Sequence, residues 1–462
     1  MTEFSLKNAD KQKPIFFVGI GGISMSALAQ ILKNDGFTVC GSDFKESETT
    51  KKLSEDGIKV YIGHKGENIR GAGLVVYTAA VKEDNPELIE AKKQGILAIE
   101  RARLLGEMMK NYRYPVAVSG THGKTTTTSM LAHVLCGADL DPTILVGGVL
   151  PLIGGNFRDG GKDYFVTEAC EYCASFLKFY PLYSIILNIE EDHLDFFKDL
   201  EDIISCFKKF IDKTPDDGAV IANFDDEEVV RAVSGLGKRV ISYGAKCDKA
   251  DYRAENISFL ENGCAEFDVL RKGEFYFKAK LNVPGMHNVL NALSVIATAD
   301  LLEVHKERII DGILSFKGTN RRFEKKGAVN GATVIDDYAH HPTEVKATLK
   351  AARAVAKDKK VWCVFQPHTY TRTLALKEEF SKSFSDCDGL VITDIYAARE
   401  KDTGLINSKD LTDAINKNTK NAVYISEFSD VAKYFRENVS DGDLVITMGA
   451  GDVYKIGEEL VK

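Results

Sequence analysis

Ser119-Gly120-Thr121-His122-Gly123-Lys124-Thr125-Thr126 is the stretch whose residue types and spacing point most directly to chemistry. It follows apolar Val116-Ala117-Val118 and opens onto Ser129-Met130-Leu131-Ala132-His133-Val134-Leu135, which reads as a helix. A strand, a glycine loop and a helix start together form a socket for phosphate. Gly120 and Gly123 permit a tight backbone, so successive N–H groups can point at anionic oxygens. The helix N-terminus adds partial positive charge. In such a socket Lys124 reaches the outer phosphates and the Thr125 hydroxyl holds a magnesium ion. The long form of the motif has four residues between its glycines; here there are two, and position 118 is Val. An ordinary glycine turn is therefore the competing reading, and strand, Gly-Lys-Thr and helix occurring together favour phosphate.

Further polar groups follow apolar runs. Tyr164-Phe165-Val166 leads to Glu168, and Ser184-Ile185-Ile186-Leu187 leads to Asn188 and Asp192-His193. Open parallel sheets collect ligands at the carboxyl ends of their strands, so Glu168 and His193 are expected to converge on phosphates and metal held by Lys124 and Thr125. A surface carboxylate and a helix-capping histidine are the bland alternatives. Cys170 and Cys173 have the spacing of a redox or zinc pair, but a second pair is missing, so zinc is not expected and two reduced cysteines suffice. Asn288 and Asn291, three apart, share one helix side; their amides suit an adenine edge, or a cap. Arg321 could bridge phosphates bidentately or decorate a linker.

The elements that must position these groups come from the whole chain. Its 462 residues suggest about three domains, and 44% hydrophobic with 28% charged residues supply several packed cores. A net charge of −8 argues against a nucleic-acid or membrane-surface binder. No apolar run approaches the ~20 residues that cross a bilayer, and the polar start from Met1 to Lys13 is not a signal peptide. Nine scattered cysteines suit a reducing cytoplasm better than a disulfide framework.

Ile15-Phe16-Phe17-Val18 reads as a buried parallel strand. Gly19-Ile20-Gly21-Gly22 follows, then Met25, Leu28, Ala29 and Leu32 on one helical face. Thr38-Val39-Cys40 reads as a second strand, and Ser42-Asp43 falls where a dinucleotide fold places its ribose acid. Ser24 replaces the third glycine, so the fingerprint is incomplete and another nucleotide diphosphate fits the loop equally. Leu74–Tyr77 as strand, Pro86 to Lys93 as helix ending at Gly95, and Ile96 to Ile99 as strand complete a small doubly wound unit ending near 108.

Around 250–283 the period changes to two, which predicts Phe275, Phe277, Ala279, Leu281 and Val283 on one face after an Arg271-Lys272-Gly273 turn. From about 325 a third α/β pattern begins. Thr333-Val334-Ile335 runs into Asp336-Asp337-Tyr338-Ala339-His340-His341-Pro342, and Val361–Phe365 into Gln366-Pro367-His368-Thr369-Tyr370-Thr371-Arg372. These two polar strand-end loops read as a face for a second substrate.

Taken together, in order, these segments resemble the Mur ligase family over nearly the whole chain. The carriers are Gly19–Ser26, Gly120–Thr125, Glu168-Ala169-Cys170-Glu171, Asn188 to His193, Pro284–Asn288, Arg321-Arg322-Phe323-Glu324, Asp336 to Pro342 and Gln366 to Arg372. The resemblance implies an α/β protein of three domains. These are a Rossmann-like UDP-sugar domain (1–108), a central P-loop ATPase with an added β-rich segment (109–324) and a Rossmann-like C-terminal domain (325–462). It implies an ATP- and magnesium-dependent amide-forming enzyme of peptidoglycan precursor synthesis. In that reaction the lactyl carboxylate of UDP-N-acetylmuramate becomes an acyl phosphate that the amine of L-alanine captures.

By position, the resemblance assigns Thr125, Glu168 and His193 to the metal and Lys124 to the phosphates. Gly120, Thr121, His122, Gly123, Thr126, Asn288, Asn291, Arg321 and Asp337 fall to ATP. Gly19, Ile20, Gly21, Gly22, Ser42 and Asp43 fall to the UDP-sugar, and Tyr338, His340, His368 and Arg372 to the amino acid, with Lys124, Glu168, His193 and Arg372 catalytic. Cys170, Tyr172 and Cys173 replace an acid-rich pattern, Thr369 an arginine and Ser24 a glycine. A ligase of recycled murein peptides acting on the same UDP-sugar is the runner-up, and a nucleotide-binding oxidoreductase a more distant one. Neither nucleic acid nor membrane is an expected partner.

Overall fold

The computed structural model describes residues 4–78, 80–398 and 400–462; the first three residues of the polar opening stretch lie outside them. Three sheets follow one another along the chain. The first joins β1 (Ile15–Val18), β2 (Val39–Asp43), β3 (Lys59–Ile62), β4 (Leu74–Tyr77) and β5 (Leu97–Glu100) in the order β3-β2-β1-β4-β5. All its pairs are parallel, so β1 is covered on both faces and every residue of it is buried. Helix Ile23–Asn34 turns the predicted Met25, Leu28, Ala29 and Leu32 inward. Asn85 caps helix Pro86–Gln94 by accepting from Glu87 and Leu88, and the helix stops at Gly95 in the left-handed region, φ 66°.

The second sheet runs β15-β14-β13-β12-β11-β10-β6-β9-β7-β8. Its central strands β6 (Tyr114–Ser119), β9 (Tyr164–Ala169) and β10 (Tyr183–Ile186) are parallel, with β7 (Thr143–Leu150), β11 (Ala219–Asn223) and β12 (Val240–Gly244) outside them. β8 (Gly155–Arg158), β14 (Cys264–Arg271) and β15 (Glu274–Pro284) pair antiparallel, and β13 (Tyr252–Phe259) joins the two patterns. The turn predicted between β14 and β15 is a two-residue one: Lys272 and Gly273 both take positive φ, 53° and 82°, matching a hairpin whose twist follows its strands. One expectation fails here. Phe277, Ala279, Leu281 and Val283 are buried, but Phe275 is 67% exposed, because the register shifts between Val269 and Leu270 and breaks the period of two before it reaches Phe275.

The third sheet has the order β16-β17-β21-β18-β19-β20, from β16 (Glu324–Val329) and β17 (Ala332–Asp337) through β18 (Val361–Phe365), β19 (Gly389–Ile392) and β20 (Ala422–Tyr424) to β21 (Leu444–Met448). All pairs but β16 with β17 are parallel. Among the described residues no helix is long and apolar enough to cross a membrane, and all nine cysteines are free thiols.

Candidate active site

The phosphate loop sits where the middle sheet is most parallel. β6 ends at Ser119 between β9 and β10, so Glu168 and Asn188 emerge beside it at the same sheet edge. Gly120 and Gly123 take φ 146° and 85°. A Cβ on Gly120 would lie 2.9 Å from Leu187 Cβ, and one on Gly123 2.8 Å from Asn291 Oδ1, so both positions require glycine for space as well as conformation. Asn188 pins the loop by accepting from His122 N–H at 2.7 Å and donating to His122 carbonyl at 3.1 Å. Thr121 Oγ1 accepts from Glu190 N–H at 2.9 Å. Helix Lys124–Gly137 begins at Gly123 with no side-chain cap, which leaves its first N–H groups for an anion.

Lys124 is largely enclosed, its side chain 15% exposed, with its ammonium on the Gly120 carbonyl, on the Thr121 carbonyl at 3.0 Å and on Glu171 Oε2 at 3.0 Å. Burial opposes the charge, yet Glu171 outweighs it and raises the lysine above its ordinary pKa. Glu171, only 3% exposed at its side chain, belongs to the family segment but drew no role from sequence; its spacing from Glu168 gave no sign that it would meet a lysine 47 residues earlier.

Thr125 and Glu168 both approach Gly147-Gly148 of β7. Glu168 Oε1 accepts from Gly147 N–H at 2.6 Å. A Cβ on Gly147 would lie 3.0 Å from Glu168 Oε2, and one on Gly148 3.3 Å from Thr125 Cγ2. Gly147 and Gly148 of β7 thus leave space beside Glu168 and Thr125, whose carboxylate and hydroxyl make a hard oxygen set that fits magnesium. His193 Nε2 approaches Glu171 Oε1 and Asp192 Oδ2, each at 3.8 Å, and its ring packs 4.6 Å from that of Tyr172.

A cavity of about 490 Å³ opens between the middle and last sheets, lined by Gly123, Thr126, Asn288, Asn291, Arg322 and Asp337 among others. Asn291 Nδ2 donates to Asn288 Oδ1 at 3.1 Å, which places both amides on one side of helix Met286–Leu301. Asp337 accepts from Ala339 N–H and Phe323 N–H, and burial pushes its carboxyl up to about 6. Arg321, expected at the phosphates, is occupied elsewhere: its Nε donates to Asp336 at 3.1 Å and its Nη2 to the Gly449 carbonyl at 2.7 Å. Its neighbour Arg322 lines the cavity instead. Arg321 has φ 62°, and that backbone turn sends the two adjacent guanidiniums to different places.

His122 binds the loop to the last domain. Its Nδ1 lies 3.1 Å from Glu344 Oε1. Burial works against protonation, but Glu344 and Glu190 raise His122 to about 9. A second cavity of about 380 Å³ gathers Asp192, His193, His368, Thr369 and Arg372. Burial lowers His368 and His340 each to about 4, so both imidazoles are neutral near pH 7. His340 and Tyr338 do not line this cavity; His340 turns to Glu344 at 3.3 Å, and Tyr338 packs against Arg321 and Arg322.

In the first domain the Ser42 carbonyl accepts from the N–H groups of Gly19 and Ile20, and Asp43 Oδ2 from Gly21 N–H at 2.9 Å. These bonds shape the Gly19–Gly22 loop. The Ser42 hydroxyl faces away, donating to the fully buried Glu87 at 2.7 Å. Arg101 went unnoticed in the sequence. From the start of helix Arg101–Met109 its Nη1 donates to Ser24 Oγ at 2.9 Å, and among the described residues it has no acidic partner. Burial lowers its pKa, with Cys170 of the middle domain near enough to act on it. A largely desolvated guanidinium with one hydroxyl partner lies between the first-domain loop and the phosphate-loop edge.

Residues 14–113 match the model described as Mur ligase family, catalytic domain, residues 118–299 the Mur ligase middle domain, and residues 321–451 the Mur ligase, glutamate ligase domain. The chain belongs to the Mur ligase family. It is 55% identical to the UDP-N-acetylmuramate–L-alanine ligase of Clostridium acetobutylicum over 98% of both chains. Among solved structures it is similar to the UDP-N-acetylmuramate–alanine ligase of Thermotoga maritima, with 33% identity, TM-score 0.79 and 97% and 98% of the two chains covered. It is also similar to a murein peptide ligase of Psychrobacter arcticus, with 26% identity, TM-score 0.69 and the same coverage.

Proposed function

We propose that this enzyme joins L-alanine to the lactyl carboxylate of UDP-N-acetylmuramate in an ATP-dependent reaction of peptidoglycan precursor synthesis. The observation that carries the reading is 55% identity along 98% of a relative bearing that activity in its name. Similarity to the alanine ligase structure exceeds that to the murein peptide ligase in both identity and TM-score, so the recycling reaction is not favoured.

A carboxylate is a poor electrophile, and phosphorylation gives it a leaving group. A lactyl carboxylate oxygen attacks the γ-phosphorus, the bond to the β–γ bridging oxygen breaks, and ADP departs. The amine of L-alanine then attacks the acyl carbon; inorganic phosphate leaves with the bonding pair, and the nitrogen gives up a proton. Two anions must meet, so positive charge in a dry cleft does most of the work. We assign Lys124 and the N–H groups of 120–126 to the phosphates, and Asn288, Asn291, Asp337 and Arg322 to the rest of the nucleotide. Thr125, Glu168 and His193 would hold a magnesium ion, which would supply charge neutralisation at the phosphates. The Gly19–Gly22 loop shaped by Asp43 takes the sugar nucleotide, and His368 and Arg372 face the amino acid. In this reading 1–108, 109–324 and 325–462 act as sugar-nucleotide, ATP and amino-acid domains.

Release of ADP and phosphate by the purified chain tests the proposal against a panel of amino acids and L-Ala-γ-D-Glu-diaminopimelate. Turnover should require UDP-N-acetylmuramate and be fastest with L-alanine. A preference for the tripeptide, or ADP formed without an amide product, would reject it.

A further inference from the structure

Two imidazoles and a carboxylate from separate domains aim at one point beside the phosphate loop. His122 lies in that loop, Glu190 follows β10, and His341 caps helix Pro342–Ala356. His122 Nε2 is buried without a hydrogen-bond partner among the described residues. It lies 3.6 Å from Glu190 Oε2, and His341 Nδ1 lies 3.9 Å from the same oxygen. One ligand atom from each of the three residues falls within 4.8 Å of the others. Ligand atoms each about 2.1 Å from a tetrahedral zinc ion sit roughly 3.4 Å apart, so small side-chain rotations close this triangle.

The outer ring nitrogens are already arranged for such a site. His122 Nδ1 is 3.1 Å from Glu344 Oε1, and His341 Nε2 is 3.0 Å from the Glu191 carbonyl. A ring nitrogen that donates outward leaves the other nitrogen's lone pair facing inward, and a carboxylate or carbonyl in that role is the usual support of a metal-bound histidine. Thr343 supplies the contacts a cation would replace: its N–H reaches His341 Nδ1 at 3.4 Å and its hydroxyl donates to Glu190 Oε2 at 2.5 Å. Glu190 and Glu344 already favour positive charge here, and a dication would take the place of a proton.

We propose that His122, Glu190 and His341 form a binding site for a first-row transition cation, zinc in particular, with ligands distinct from the magnesium corner at Thr125 and Glu168. Two nitrogen ligands select zinc over magnesium, which prefers an all-oxygen shell. Because His122 and Glu190 belong to the middle sheet's unit and His341 to the last one, a bound ion clamps the two together and fixes the phosphate loop.

Equilibrium dialysis of the full chain against zinc chloride, without nucleotide, tests this, with cobalt(II) absorption as a second readout of nitrogen-rich tetrahedral ligation. His341→Ala and Glu190→Gln should each weaken binding at least about ten-fold, while Glu168→Gln should leave it unchanged. Zinc retained by both of the first variants, zinc lost with Glu168→Gln, or no binding by the parent chain would each overturn the proposal. Thermal melting without metal reports whether each variant folds. Glu190→Gln, which keeps size and shape, decides the question if His341→Ala does not fold.

Discussion

Arg372 grips Asp192 across the boundary between the last and middle domains, its Nε at 3.1 Å and Nη2 at 2.8 Å from the same Oδ1. Little of either side chain reaches solvent, at 11% and 9% exposure. Burial opposes the Asp192 charge, but Arg372 and then His193 hold its carboxyl far below the usual range. Arg372 Nη1 stands 3.2 Å from His368 Nδ1 in the same cavity. The guanidinium therefore joins two domains and faces the proposed amino-acid site at once.

Arg372→Lys keeps the charge and loses the planar fork. We expect kcat/KM for L-alanine to fall at least about ten-fold, roughly 1.4 kcal/mol, with little change in melting temperature. Unaltered steady-state kinetics across an alanine titration would remove Arg372 from the amino-acid site.

Lys124→Ala should cut turnover by about two to three orders of magnitude, comparable to the ~3–4 kcal/mol of a lost oxyanion donor. Phosphate-release assays at saturating substrates check this. Near-normal rates would mean that the ammonium resting on Glu171 never reaches the phosphates.

Arg101 has one hydroxyl partner and no acidic one among the described residues, so its remaining donors suit an anionic substrate group. Arg101→Met should raise KM for UDP-N-acetylmuramate at least about ten-fold, on the scale of a charge-assisted hydrogen bond, and leave KM for ATP within about two-fold. An equal rise for both substrates would point to a general distortion instead.

The His122–Glu344 contact makes a pH prediction. His122 is raised to about 9 in the folded chain from about 6.5 unfolded. A raised base contributes stability that is fully present below the unfolded value and is lost as pH climbs through the folded one. Glu344→Gln should therefore be less stable than the parent near pH 6, by about 2 kcal/mol on the scale of a hydrogen bond to a charged group, and the gap should narrow toward pH 10. Urea midpoints at the two pH values read this directly; a gap independent of pH would exclude the ion pair as its source.

Local pattern made much of the molecule legible. Strand, two glycines and helix around 120–124 specify a loop by backbone geometry alone, and the apolar runs at 15–18, 184–187 and 361–365 are buried on both faces as their composition demands. Neighbouring positions were harder. Arg321 and Arg322 are equal as residue types, and only the tertiary structure sends Arg322 to the cavity between the middle and last sheets and Arg321 to Asp336 and the Gly449 carbonyl. Phe275 fitted its alternation until a register shift in its own pairing with β14 exposed it.

The sequence by itself determined the three α/β units, the phosphate loop and the family, because periodicity and motif spacing are properties of short segments. Only the tertiary structure decided that Lys124 rests on Glu171, that Arg372 holds Asp192 from 180 residues away, and that His122 turns toward Glu344. Those pairings depend on which strand ends lie side by side and on how burial strengthens a charge contact. Spacing along the chain carries neither quantity.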